Sequence, residues 1–109
     1  VYERTHYTLD THTAVAYRAA EAYRRETGDT RPMIVLSTAS PYKFGASVLH
    51  ALGEDTAGMD EFAQMERLHA RSGMAVPPRL AALRTASVLH KGICAKDDMR
   101  AKVLSFARA

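Results

Sequence analysis

The chain has 109 residues, 47% of them hydrophobic and 25% charged, which is the composition of a single folded domain and not of a disordered tail. Its 15 Lys and Arg exceed its 12 Asp and Glu by only +3, and the signs alternate, so there is no dense basic stripe of the kind that grips nucleic acid. No apolar run nears the roughly 20 residues of a membrane span, which excludes that class. The single cysteine, Cys94, has no partner for an internal disulfide, which points to a reducing compartment, the cytoplasm. The chain opens on Val1 without the pattern of a signal peptide, and reads as a piece of something longer.

Residues 1–9 mix Tyr, Thr and His and read as an irregular or weakly extended lead-in. Asp10 can accept from the first free amides of a helix, and Val15, Ala19, Ala22 and Tyr23 recur at the helical period behind it. Arg24 and Arg25 suit the negative end of that helix, and Gly28 suits its left-handed cap. After the turn Gly28-Asp29-Thr30-Arg31-Pro32 comes Met33-Ile34-Val35-Leu36-Ser37. This short apolar run with β-branched residues reads as a strand buried on both faces. Ser40 then offers an N-cap and Pro41 a first helical residue, with Phe44, Val48 and Leu52 at intervals of four and Gly53 as the stop.

Phe62, Met65, Leu68 and His69 line one face of a helix starting near Met59, with Asp60 and Glu61 in its first turn and Gly73 at its end. Pro77-Pro78 breaks the chain, and Leu80 and Leu83 suggest a short helix after it. Residues 86–93 stay open between strand and loop. Met99, Val103 and Phe106 form the stripe of a last helix, with Asp97 and Asp98 near its start. One strand makes no sheet by itself. The expected fold class is therefore α/β: a helix-rich carboxyl-terminal fragment whose buried strand, at about 33–37, joins the central sheet of a larger protein.

The stretch Leu36-Ser37-Thr38-Ala39-Ser40-Pro41 places hydroxyls at the exit of that strand and just before a helix N-terminus. Ligands of open α/β sheets bind at such strand ends, and a helix N-terminus adds unpaired amides. As residue types Ser37 and Ser40 serve first as caps and turn formers, whereas Thr38 can face the crevice. His12, in the first turn of its helix, reads first as structural. His90 and Cys94 stand four apart, but two ligands make no zinc site and no second pair lies at a suitable spacing, so no metal is expected. Met33, Met65 and Met99 read as core, and His50 and His69 need no special role.

Residues 35–44, VLSTASPYKF, resemble the carboxyl-terminal signature of threonine synthases, V-L-x-T-A-H-P-A-K-F, and residues 10–16, DTHTAVA, are similar to that family's D-P-H-T-A-V-G or D-P-H-T-A-V-A. The intervening helix and the Thr27-Gly28-Asp29 turn match in order and spacing. Val76-Pro77, Leu80, Leu83 and residues 88–90 track a weaker downstream pattern, and residues 96–106 resemble the last helix. Ser40 and Tyr42 stand where the family has His and Ala, and Thr11 where it has Pro.

The resemblance implies a pyridoxal-phosphate enzyme of the tryptophan-synthase-like fold (fold type II), a carbon–oxygen lyase. It would act on O-phospho-L-homoserine, eliminating phosphate and adding water at the β carbon to give L-threonine. It implies Thr38 against the pyridine nitrogen, with Ser37, Ala39 and Ser40 shaping the pocket, and it puts His12 in a motif that lines the crevice. The Schiff-base lysine of such enzymes belongs to an F-K-D motif, which does not occur in this sequence; Lys43 is expected to be solvated or ion-paired. The six glycines are scattered and form no phosphate-cradling loop. No catalytic residue is thus expected in these residues. The isolated segment is expected to be inactive, to bind no cofactor by itself and to self-associate through its lone strand. Two other readings stay open: a threonine-synthase-like phospho-lyase that releases a keto acid, and a non-catalytic module that binds a protein or a small molecule.

Overall fold

Aspartates start the two longest helices and glycines end them. Asp10 precedes α2 (Thr11–Thr27) in extended backbone, and its carboxylate accepts from the amides of His12 at 2.9 Å and Thr13 at 3.2 Å. Those amides belong to the first turn, where no carbonyl inside the helix can reach them. Gly28, at φ 69°, ends α2 in the left-handed conformation and returns its amide to Arg24. Asp60 likewise caps α4 (Glu61–Ser72) through the amide of Ala63 at 2.7 Å, and Gly73 closes it at φ 72°. Ser40 begins a 3-10 turn, Pro41–Phe44, by accepting from the Tyr42 amide at 3.3 Å, and the turn runs directly into α3 (Gly45–Ala51).

The shorter pieces follow from proline placement and tertiary anchoring. α5 (Pro78–Ala81) carries its proline where the missing amide is harmless and continues as a 3-10 turn, Ala82–Arg84. A further 3-10 turn, Lys96–Asp98, leads into α6 (Met99–Ala107). The expected irregular lead-in holds one helical turn instead, α1 (Tyr2–Thr5). So short a helix is not stable alone. It is held from outside: the Tyr2 hydroxyl donates to the Arg71 carbonyl at 2.7 Å, and the Arg71 guanidinium lies 5.1 Å above the Tyr2 ring.

The core lies between α3 and α4. Tyr42, Val48, Leu49 and Leu68 are buried, and Phe44, Leu52, Met65, Met74, Val76 and Leu80 pack against them. The apolar spacings of 44, 48 and 52 and of 65 and 68 therefore mark core faces, whereas Phe62 and His69, expected on the same stripe of α4, lie outside the core cluster. Gly45 permits the close approach of the two helices, since a Cβ there would lie 3.3 Å from both Cβ and Oε1 of Gln64.

The computed structural model describes residues 1–108, and the α/β expectation is corrected by it. The chain is 58% helical, and among the described residues there is no strand and no sheet. The buried strand expected at 33–37 is absent because a strand needs a neighbour about 4.8 Å away to pair its amides and carbonyls. Residues 86–95, the other apolar stretch outside the helices, are irregular and supply none. Met33 and Val35 are half-buried, while Ile34 is 89% and Leu36 75% exposed.

The stripes of α2 and α6 are likewise uncovered, with Val15, Met99, Val103 and Phe106 all exposed. Every described residue from Ala81 onward is exposed. The radius of gyration is 19.0 Å, against about 13 Å for a compact chain of this size.

Candidate functional site

The two signature segments, 10–16 and 35–44, meet in space, and the meeting point is built from the cap of α2. Asp10 is 1% exposed, and its Oδ2 accepts a short hydrogen bond from the Thr13 hydroxyl. Ser37 Oγ, 24 residues further on, lies 3.2 Å from Thr13 Oγ1 and 3.4 Å from the same Oδ2. The carboxylate thus serves two backbone amides and two hydroxyls. The hydrogen bond from the Thr13 side chain is the main reason its pKa lies below the usual carboxylate value; the amides of Thr13 and His12 and the His12 charge act in the same direction, and burial opposes them.

His12 makes a second contact between the segments. Its ring lies 5.0 Å from that of Phe44, tilted by 53°, and Nδ1 is 3.4 Å from Thr11 Oγ1 and 3.7 Å from Asp10 Oδ1. The side chain is 72% exposed, so His12 sits on the face of the junction, not inside it. Lys43 is also exposed, with Nζ 5.6 Å from the Phe44 centroid, as expected of a solvated lysine.

The four residues singled out at the turn, 37–40, differ in what they can offer. Ser37 is engaged with Asp10 and Thr13, and the Ser40 hydroxyl caps Tyr42. Ala39 is half-buried and has no polar group, and Thr38 is exposed at the head of the turn. Tyr42, which stands where the family signature has Ala, belongs to the core. Its ring is buried in the core, its hydroxyl donates to the Met74 carbonyl at 2.6 Å, and burial pushes its phenol pKa up. His90 and Cys94 lie exposed in the irregular 86–95 segment and share no helix face. Among the described residues no three His, Cys, Asp or Glu side chains gather to hold a metal.

A cleft of about 530 Å³ opens elsewhere, lined by Tyr7, Thr8, Tyr17 and Val48 among others, and residues 37–40 take no part in it. Residue types alone mark Asp10 as a cap and do not mark Thr13. The D-x-x-T spacing was the signal: a hydroxyl three residues after a capping carboxylate lies on the same side of the first turn.

No helix among the described residues is long and apolar enough to cross a membrane. A search of curated proteins finds no match to this chain. A family model described as threonine synthase, C-terminal, matches residues 13–87, more than two thirds of the length. The match takes in Thr13, Ser37, the signature turn and the whole α3–α4 core. The chain belongs to the threonine synthase C-terminal family.

Proposed function

We propose that this chain is the carboxyl-terminal segment of a cytoplasmic, pyridoxal-phosphate-dependent threonine synthase, and that Thr38 faces the pyridine nitrogen of the cofactor. The observation that carries the reading is the junction of segments 10–16 and 35–44 through Thr13 and Ser37, which presents Thr38 beside it at the surface. The donor set fits the group. Of the three hydroxyls at the turn, Ser37 is tied to Asp10 and Thr13 and the Ser40 oxygen accepts from the Tyr42 amide, while Thr38 is exposed beside them, which supports Thr38 as the hydroxyl that meets a ring nitrogen.

The bound cofactor would supply an electron sink for elimination of phosphate from O-phospho-L-homoserine and replacement by water. The part of Thr38 is to present a neutral hydroxyl to the nitrogen. Unlike a carboxylate, it stabilises no proton there, which suits elimination and replacement better than transamination. His12 stands on the same junction and lines the crevice. Ser37 and Ala39 shape the turn.

The covalent anchor and the phosphate cradle are to be sought in other residues, because this sequence holds neither an F-K-D lysine nor a glycine-rich loop. The isolated segment accordingly gives no turnover. It self-associates through apolar side chains such as Ile34, Leu36 and Ile93, all exposed here. Light scattering should show a mass that grows with concentration, and a constant monomer would count against this.

Thr38→Val in the cofactor-loaded enzyme tests the central assignment. A shifted cofactor absorption band and a loss of threonine formation from O-phospho-L-homoserine are expected. An unchanged spectrum together with unchanged activity would overturn it.

A further inference from the structure

We propose that Asp10 and Thr13 are positioning residues for Thr38, holding its turn against the start of α2 by way of Ser37. The inference rests on the reading of Thr38 given above. Segment 33–37 has no sheet to fix it; Met33 and Val35 are half-buried beside α2, and hydrogen bonds tie its two ends. At one end the Arg24 guanidinium donates to the Arg31 carbonyl at 2.8 Å. At the other end, next to Thr38, the Ser37 hydroxyl donates to Asp10 Oδ2 at 3.4 Å and lies 3.2 Å from Thr13 Oγ1, whose own hydrogen bond goes to the same carboxylate. Adjacent Cα atoms lie about 3.8 Å apart, so a restraint on Ser37 limits how far Thr38 can move.

The anchor is suited to that task. Asp10 is buried, and its four donors compensate the charge that burial would otherwise penalise. Capping of α2 needs only the amides of His12 and Thr13. The Thr13 hydroxyl is surplus to the helix, and the neighbour it shares with Asp10 is Ser37. A hydroxyl aimed at a ring nitrogen acts only if it is held in place beforehand, since displacement by about 1 Å can cost a hundredfold in rate.

Thr13→Val removes the hydroxyl while leaving both capping amides on Asp10, so α2 should keep its helical circular dichroism. In the 109-residue chain, at a concentration where light scattering reads a monomer, ¹⁵N relaxation should show the order parameters of Ser37, Thr38 and Ala39 falling from about 0.85 to below about 0.6. Thr13→Ser should keep them high. In the cofactor-loaded enzyme, Thr13→Val should shift the cofactor band in the same direction as Thr38→Val and lower kcat about tenfold with little change in KM, and Thr13→Ser should restore both. Unchanged order parameters in Thr13→Val overturn the inference. So does a loosened turn whose cofactor band stays in place while Thr38→Val moves it. A silent Thr38→Val overturns the reading of Thr38 instead, and relaxation alone then decides whether Asp10 and Thr13 hold the turn.

Discussion

Asp29 organises the turn between α2 and the apolar run. Its carboxylate accepts from the Arg31 amide at 3.0 Å, from Arg31 Nη2 at 2.6 Å and from the Tyr23 hydroxyl at 3.3 Å. The Arg31 side chain is the main cause that holds its pKa down to about 2, with the Arg31 amide next. A pKa lower in the folded state means stability that is present above the unfolded value, about 3.8, and lost as pH falls toward 2. Asp10 acts in the same sense. The urea midpoint should therefore stay level from neutral pH to about 5 and drop below about 4, and Asp29→Asn should flatten part of that drop. An acid limb identical in the variant would show that the turn contributes nothing. Tyr42 makes a different kind of contribution. In Tyr42→Phe the Met74 carbonyl keeps the His69 Nδ1 contact at 2.6 Å, so the expected loss is about 1 kcal/mol, read as a lower urea midpoint at unchanged slope. A loss well above that would show that His69 does not serve the carbonyl alone.

Among the elements, the contact between α3 and α4 is the one that burial sustains. Leu49 and Leu68 are fully buried there, each worth about 1.5–3 kcal/mol of transfer free energy. Gly45 sets how close the helices come, with Gln64 only 3.3 Å from where a Cβ would stand. Gly45→Val should overpack the contact and lower stability by about 1–3 kcal/mol in thermal melts. Adding Gln64→Ala should recover part of the loss, because the two sites share one space; strictly additive effects would refute the contact. The ends of α2 and α4 were legible from Asp10, Gly28, Asp60 and Gly73, because a cap acts on amides and carbonyls within four residues of itself. The run 33–37 reads as a buried strand but is irregular in the structure. Its β-branched composition expresses a local preference, but pairing is a property of two segments, and no second strand is present among the described residues. The stripe of α2 failed as a guide to burial for a related reason: a period of 3.6 defines a face without saying what covers it.

At the scale of the whole molecule, the core among the described residues draws on positions 42–80, and residues 1–41 join it through polar ties such as Tyr2 to Arg71. From Ala81 onward the described residues are exposed, and the ion pair Arg84–Glu66 at 2.6 Å is a surface contact. Removing residues 86–109 should lower the melting temperature by less than about 4 °C, the shift that one kcal/mol produces at this size. A larger fall in calorimetry would mean that α6 docks on the core. The ends of α2 and α4 and part of the core faces of α3 and α4 were readable from residue order, since each rests on chemistry within one segment, and the family was readable from motifs spread along the chain. The absence of a sheet among the described residues, the place of Tyr42 in the core and the approach of Ser37 to Asp10 and Thr13 were decided by tertiary structure alone. They join residues 24 to 32 positions apart or depend on a partner strand, and local sequence carries no energy term for either.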